Sequence, residues 1–369
     1  MAGPLSLIAE ITHRCPLHCV YCSNPLVMAG SSAELTTEAW IDVFQQAAKM
    51  GVLQLDLTGG EPLARTDLID LVNSARDAGL YVNLITSGIG LSPTKLDQLV
   101  NARLDHIQLS LQDSEAQGAD EIAGTKTHAK KLEIAAEIRK HRLAFTLNIV
   151  VHRQNLVRLP QMIALAEELG AHKLEIAHVQ YYGWAFANRE ALLPTRVQLD
   201  ESLRVIQEAQ ARLEGRLRID YVVPDYYARF PKACMGGWGR KTMLITPAGD
   251  VLPCHAATVI PGMRFENVRE NKLQWIWEEA DSFQRFRGIS WMPEPCQSCD
   301  RRDRDFGGCR CQAFLLAGDA AVTDPVCSLA PMHNRVEEVL QKVNTTRTSP
   351  PHAELPTTSM VWQYRQNPR

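Results

Sequence analysis

The sequence predicts an α/β protein, a parallel sheet or barrel followed by a cysteine-rich region, and two observations carry that reading. Short apolar segments alternate with amphipathic ones from residue 5 to residue 180, and the ten cysteines fall into two groups, three before residue 23 and seven after residue 233. Strand–helix units repeated in this way build parallel sheets. Cysteines grouped in this fashion in a chain with cytosolic character point to metal ligation rather than to a disulfide framework.

Strands are expected at residues 5–12, 52–58, 81–86, 104–111, 144–151 and 173–180, and helices at 35–49, 67–78, 93–101, 128–141 and 156–169. Thr36 and Asn155 are placed as N-caps, and Gly79 and Gly170 as the left-handed residues that stop helices. The helices separate the strands too regularly for hairpins, which argues against an antiparallel sheet with one wet face. A doubly wound, flavodoxin-like order gives the same pattern and stays open. Two strands carry a further signal. Leu53, Leu55 and Leu57 share one face and Gln54, Asp56 and Thr58 the other, and His106-Ile107-Gln108-Leu109-Ser110-Leu111-Gln112 repeats the alternation. The apolar faces should meet the helices. The polar faces should then line a lumen that binds something polar, where a packed barrel would hold branched aliphatic side chains.

Composition bounds the function. A chain of 369 residues, 45% hydrophobic and 22% charged, can bury the core of one large or two modest domains. A formal net charge of −3 gives no electrostatic case for nucleic acid or an anionic membrane surface. Residues 1–13 read as a strand rather than a signal peptide, since they have no basic region or cleavage site, and no apolar run reaches membrane-spanning length. A cytoplasmic location is expected.

Three motifs carry chemistry. Cys15-x3-Cys19-x2-Cys22 can hold three corners of a 4Fe–4S cube and leave the fourth iron open to a small molecule, because thiolate is the soft ligand such clusters take. A zinc site is the bland alternative. Thr58-Gly59-Gly60-Glu61-Pro62 follows the second strand, where glycines let backbone approach a ligand closely. The last third reads Cys234, Cys254, Cys296-x2-Cys299-x5-Asp305-x3-Cys309-x-Cys311 and Cys327, for which a structural zinc knuckle is the alternative.

Together the first two motifs resemble the radical SAM enzymes, and the third, with Gly249 ahead of Cys254, resembles the SPASM auxiliary-cluster domain that follows the barrel in peptide-modifying members. One departure narrows the resemblance: Asp305 stands where the SPASM pattern has a cysteine, and Cys311 is extra. With Gln180-Tyr181-Tyr182-Gly183-Trp184-Ala185 and the tail segments Pro350-Pro351-His352-Ala353-Glu354-Leu355-Pro356 and Trp362-Gln363-Tyr364-Arg365, the chain is similar over essentially its whole length to the coenzyme PQQ synthesis protein E family.

That resemblance implies a partial (β/α)6 TIM-like barrel of the radical SAM type over residues 1–215 and a SPASM iron–sulfur domain over 216–335; the tail over 336–369, Thr/Ser/Pro-rich and low in core-forming residues toward its end, is expected to be flexible. It implies S-adenosylmethionine (SAM) on the open iron of a 4Fe–4S cluster held by Cys15, Cys19 and Cys22, with Tyr21 near the adenine. The SAM amino group is expected at Gly59, Gly60 and Glu61, and ribose and carboxylate contacts at Ser87, Ser110 and Asn148. Two auxiliary iron–sulfur clusters, 4Fe–4S or 2Fe–2S, are implied: one on Cys234, Cys254, Cys309 and Cys311, the other on Cys296, Cys299, Asp305 and Cys327.

The implied reaction starts from a 5′-deoxyadenosyl radical and joins a glutamate γ-carbon to a tyrosine ring in the PQQ precursor peptide (PQQ synthesis protein A), an early step of pyrroloquinoline quinone biosynthesis. One electron and one proton must then leave the ring. Auxiliary clusters offer the electron an exit, and Asp56, His106, His152, Tyr181 and Tyr182 are the candidates for the base. The cysteine motif begins too early for an N-terminal leader-binding domain, so the resemblance implies a separate peptide chaperone (PQQ synthesis protein D), alongside an electron donor such as flavodoxin or ferredoxin. The alternatives are another SPASM peptide modifier, a sulfatase maturase or thioether-forming maturase, whose all-cysteine ligation Asp305 contradicts, and a zinc-stabilised binding module.

Overall fold

The computed structural model describes residues 3–345 and 362–368. Seven strands, β1 (Ser6–Thr12), β2 (Gln54–Gly59), β3 (Tyr81–Thr86), β4 (His106–Leu111), β5 (Ala144–Val151), β6 (Lys173–His178) and β7 (Arg218–Val222), lie side by side in chain order, each parallel to the last. Between them run α1 (Thr37–Lys49), α2 (Leu68–Asp77), α3 (Pro93–Asn101), α4 (Ala116–Ala123), α5 (His128–Lys140), α6 (Leu159–Glu168), α7 (Gly183–Ala187), α8 (Arg189–Leu192) and α9 (Arg196–Arg212). A doubly wound sheet reverses its strand order at a switch point, whereas here the order runs from β1 to β7 without reversal. The flavodoxin-like alternative is therefore excluded. On the other side of β1, β8 (Thr242–Ile245) pairs parallel and β9 (Val251–Leu252) closes the sheet antiparallel to β8, leaving β7 and β9 as its edges. The sheet thus runs past residue 215, where the sequence placed the end of the barrel.

Local chemistry explains the elements. Thr36 caps α1 by accepting from the Ala39 amide at 3.2 Å, and Trp40, Val43, Phe44 and Ala47 recur at helical spacing as its buried face. Gly79 and Gly170 end α2 and α6 in the left-handed region, at φ +88° and +73°. Asn155 is no cap. Its amide donates to the carbonyls of Gln112 and Val150, both at 2.9 Å, and its oxygen accepts from the His152 amide, so it ties the ends of β4 and β5 together.

One face of the sheet, with Leu7, Ile11, Leu55, Leu57, Ile107, Leu109 and Phe145, packs against the helices in one apolar core, and each such side chain contributes about 1.5–3 kcal/mol by burial. Leu53 is the exception at 67% exposed, because β2 begins one residue later. The other face is polar and satisfies itself across strands: Asp56 accepts from Gln54 and Asn83, both at 2.9 Å, His106 bonds Thr146 at 2.8 Å, and Lys173 pairs with Asp220 at 2.9 Å.

The C-terminal region adds α10 (Leu273–Glu279), α11 (Asp281–Gln284), α12 (Arg302–Asp305), α13 (Arg310–Ala317) and α14 (Asn334–Thr345). A separate apolar cluster there includes Tyr182, Trp238 and Phe286 together with Cys234, Cys254, Cys309 and Cys311. The tail expected to be flexible from residue 336 is ordered in its described parts. Val336 and Val343 on α14 are buried, and residues 362–368 return to the loop after β1. Low average hydrophobicity masked an amphipathic stripe at 336, 339, 340 and 343. Residues 346–361, with the proline-rich segment at 350–356, lie outside the described residues.

Candidate active site

Parallel strands deliver their loops to one end of the sheet, and the sequence motifs gather there. Residues 13–36 follow β1 as a loop carrying Cys15, Cys19 and Cys22, with its backbone groups held from three directions. His18 and Val20 amides donate to the carbonyls at the end of α4, Gly60 and Glu61 amides donate to Thr12 and Arg14 carbonyls at 2.6 and 2.8 Å, and the Asn188 amide donates to the Val20 carbonyl at 2.8 Å. Burial pushes the Cys15 thiol up to about 11 and Cys19 up to about 12, and raises Cys22, while Arg365 pulls Cys15 and Cys22 the other way and Lys131 does so for Cys19. Iron must therefore displace protons to bind here. Three soft donors on one loop, with two buried cations beside them, fit a cluster that carries net negative charge.

The two glycines at the end of β2 serve the chain itself. A Cβ on Gly59 would stand 2.2 Å from the Thr12 carbonyl oxygen, and one on Gly60 2.4 Å from that of Arg14. Glu61, expected to receive an amino group, already accepts four hydrogen bonds: from the Thr86 hydroxyl, the Ser87 amide and hydroxyl, and the Leu63 amide, at 2.5–3.0 Å. That exhausts the lone pairs of a carboxylate. It ties the loops after β2 and β3, and Ser87 is turned toward it. Ser110 and Asn148 are register neighbours on the polar face of β4 and β5. The Tyr21 hydroxyl accepts from Gln112 at 3.1 Å. An open cavity of about 470 Å³ is lined by Arg14, Cys15, Glu61, Ile89 and Asn367, among others.

Two residues escaped the sequence reading. Lys131 on α5 is fully buried, donating to Gln112 at 2.6 Å and to the Ser110 carbonyl at 3.1 Å. Arg365 is 2% exposed and sits against the cysteine loop. Lys131 has no sequence signal, since it belongs to a charged helix, and Arg365 entered only as part of the tail segment Trp362-Gln363-Tyr364-Arg365, with no role attached to it.

In the C-terminal region Cys234, Cys254, Cys311 and Cys309 form a ring of buried neighbours in one apolar cluster. Their influence on one another holds Cys254 and Cys309 well below, and Cys234 and Cys311 well above, the ordinary thiol range. Four buried thiols in one cluster are the donor type an iron–sulfur cluster takes. Cys296, Cys299, Asp305 and Cys327 line one pocket of their own, in which Asp305 accepts from the Arg301 guanidinium and the Gly307 amide, both at 3.3 Å.

The base candidates separate. Asp56 and His106 lie in the first halves of their strands, at the wrong end: His106 opens β4, roughly 15 Å of strand before the loops. His152 follows β5 at the right end, fully buried, with Nε2 unpartnered among the described residues, and burial pushes it down to about 3. Tyr181 packs on Tyr226 at 5.2 Å. Tyr182 is in contact with the four-thiol ring, its hydroxyl 3.2 Å from the Cys309 sulfur.

Comparison with known proteins agrees with this arrangement. Residues 9–166 match the Radical SAM superfamily and residues 234–300 the iron-sulfur cluster-binding domain SPASM. The chain is 55% identical to the PqqA peptide cyclase of Methylobacterium nodulans over 91% of its own length and 89% of that protein's. It is 56% identical to the PqqA peptide cyclase of Gluconobacter oxydans over 92% and 94%. The structure of Streptococcus suis SuiB bound to S-adenosylmethionine superposes with a TM-score of 0.74 over 89% of this chain and 78% of SuiB, at 18% identity. Native anSMEcpe with bound AdoMet superposes at 0.62 over 92% and 97%, at 16% identity. The chain belongs to the radical SAM enzymes with a SPASM domain, in the family of the PqqA peptide cyclases.

Proposed function

We propose that this enzyme joins the γ-carbon of a glutamate to the ring of a nearby tyrosine in the PQQ precursor peptide. The observation that carries the reading is identity of 55% over 91% of the chain with a PqqA peptide cyclase, together with the matches to the Radical SAM and SPASM families. With SAM bound, the N-terminal cluster supplies a 5′-deoxyadenosyl radical, which can take hydrogen from an unactivated CH2. Cys15, Cys19 and Cys22 hold that cluster. Lys131, the buried cation bonded to Ser110 and Gln112, suits the SAM carboxylate, and Glu61 fixes the loops that shape the cavity.

Bond formation leaves the tyrosine ring with one electron and one proton too many for aromaticity. Tyr182 stands between the barrel and the ring of Cys234, Cys254, Cys309 and Cys311, which suits it to the electron's exit rather than to the proton's. Cys296, Cys299, Asp305 and Cys327 suit the second auxiliary cluster, where a carboxylate is a harder ligand than a thiolate. Proton removal falls to His152 or Tyr181 at the correct end of the sheet. A reductant such as flavodoxin or ferredoxin and a peptide chaperone complete the system. No described helix is long and apolar enough to cross a membrane.

Mass spectrometry of the precursor peptide after anaerobic incubation with SAM and a reductant tests the proposal. Loss of two hydrogen atoms, with a fragmentation gap linking glutamate to tyrosine, is the expected result. SAM cleavage with an unmodified peptide would return the chain to the other SPASM peptide modifiers.

A further inference from the structure

The segment 362–368 is far from the cysteine loop in sequence and is bonded both to that loop, through Arg365, and to the residues that hold the loop. The Trp362 indole donates to Glu121 at 3.1 Å, Gln363 exchanges bonds with the Asn188 amide at 2.8 and 3.0 Å, and that same amide donates to the Val20 carbonyl. The Arg365 amide donates to the His18 carbonyl at 3.2 Å, and the Arg365 carbonyl is 2.7 Å from His18 Nδ1. Inside this frame the Arg365 guanidinium donates to the carbonyls of His13 and Leu17, which bracket Cys15, and to the side chain of Asn367. Asn367 in turn lines the cavity shared by Cys15 and Glu61.

A guanidinium that is 2% exposed normally faces a carboxylate, because an uncompensated buried charge is strongly unfavourable. Among the described residues Arg365 has carbonyl, amide and thioether acceptors and no ion pair. Its fork is also the wrong shape for chance: two of its nitrogens pin the backbone on both sides of one cysteine. The missing counter-charge is on the adjacent loop, where three thiolates around a 4Fe–4S cube leave a net negative centre.

We propose that residues 362–368 are a built-in strap of the SAM-cluster site, and that Arg365 is a positioning residue that fixes the loop around Cys15 and supplies the positive charge that eases reduction of the cluster there. This rests on assigning Cys15, Cys19 and Cys22 to that cluster. A cation beside a cluster stabilises its reduced form, so removing it makes the cluster harder to reduce.

The test is an EPR-monitored redox titration of the reconstituted full-length enzyme as Arg365→Met and Arg365→Lys, with the auxiliary clusters of the same sample as internal reference. Arg365→Met is expected to lower the ratio of reduced to oxidised N-terminal cluster about tenfold at a fixed poise, equivalent to about 59 mV for one electron. Arg365→Lys should recover most of that loss, and the auxiliary clusters should not move. Selective loss of N-terminal iron in Arg365→Met, with the auxiliary clusters loaded, also supports the proposal. An unchanged reduced fraction in Arg365→Met overturns it, as does an equal shift or loss of all clusters. Cys15→Ala separates the two levels. If it leaves the N-terminal EPR signal intact, the cluster assignment itself fails; if it abolishes the signal while Arg365→Met is silent, the strap alone fails.

Discussion

Gly60→Ala distinguishes glycines that make room for a ligand from glycines that make room for the chain. Its new Cβ would lie 2.4 Å from the Arg14 carbonyl oxygen and 2.6 Å from that of His13, where carbon–oxygen contact begins at about 3.3 Å. The loop after β1 must therefore withdraw by roughly 1 Å, stretching the bonds from the Gly60 amide to Thr12 at 2.6 Å and from the Glu61 amide to Arg14 at 2.8 Å. Two weakened buried hydrogen bonds at about 0.5–1.5 kcal/mol each, with about 1–3 kcal/mol of overpacking, give a destabilisation of about 2–6 kcal/mol. Gly60 has no positive φ, so this effect is steric alone. Gly79→Ala is the control: φ is +88° with nothing within 4 Å of the new Cβ, and about 1–2 kcal/mol of backbone strain is expected. Because Arg14 precedes Cys15, Gly60→Ala should also lose iron from the N-terminal cluster while retaining the auxiliary clusters. Anaerobic thermal unfolding and iron analysis measure both effects. A Gly60→Ala enzyme with wild-type melting temperature and full iron would refute the reasoning.

Four other outcomes are expected. Lys131→Met should raise the Kd for SAM at least tenfold, about 1.4 kcal/mol, and unchanged binding by equilibrium dialysis would assign Lys131 to packing alone. Tyr182→Phe removes the hydrogen bond to Cys309; it should lower the reduction potential of that auxiliary cluster and slow cross-linking more than SAM cleavage, and equal slowing would contradict the electron-exit role. Asp305→Cys should keep a cluster with altered EPR, whereas Asp305→Ala should leave an open iron or lose it; identical spectra in both variants would remove Asp305 from the ligands. Burial drives His152 and His178 down to about 3 from an ordinary 6.5, so below pH 6.5 the unfolded chain takes up protons that the folded one refuses. Stability is then present above pH 6.5 and falls as pH drops from there toward 3, approaching about 1.4 kcal/mol per pH unit for each histidine. Melting between pH 7.5 and 5.5 should show a shallower slope for His178→Gln than for wild type, and equal slopes would argue against it.

The features legible in the sequence are those with a local cause. Thr36, Gly79 and Gly170 act through their own backbone, and the alternation in β4 needs only its own residues, so these elements could be placed one at a time. Asn155 shows the limit. Its place at a helix start was readable, whereas the bonds its amide NH2 makes to Gln112 and Val150 depend on where β4 ends. The burial of Lys131 and Arg365 was not legible, because a buried cation looks like a surface one until the chain closes over it. Glu61 was located by its motif, yet its partners Thr86 and Ser87 sit on another loop and determine what its oxygens can still accept.

The strand carrying the cysteine loop is flanked by β2 on one side and β8 on the other, with Ser6 in register with Thr242. On a ribosome adding about 5–20 residues per second, β1 waits roughly 10–50 s for that second neighbour. Until then one side of β1 is a bare edge. Arg365 emerges later still. The loop that carries Cys15, Cys19 and Cys22 is thus among the last parts of the sheet to be enclosed, and a nascent chain stalled before residue 242 would present these thiols on an unfinished sheet.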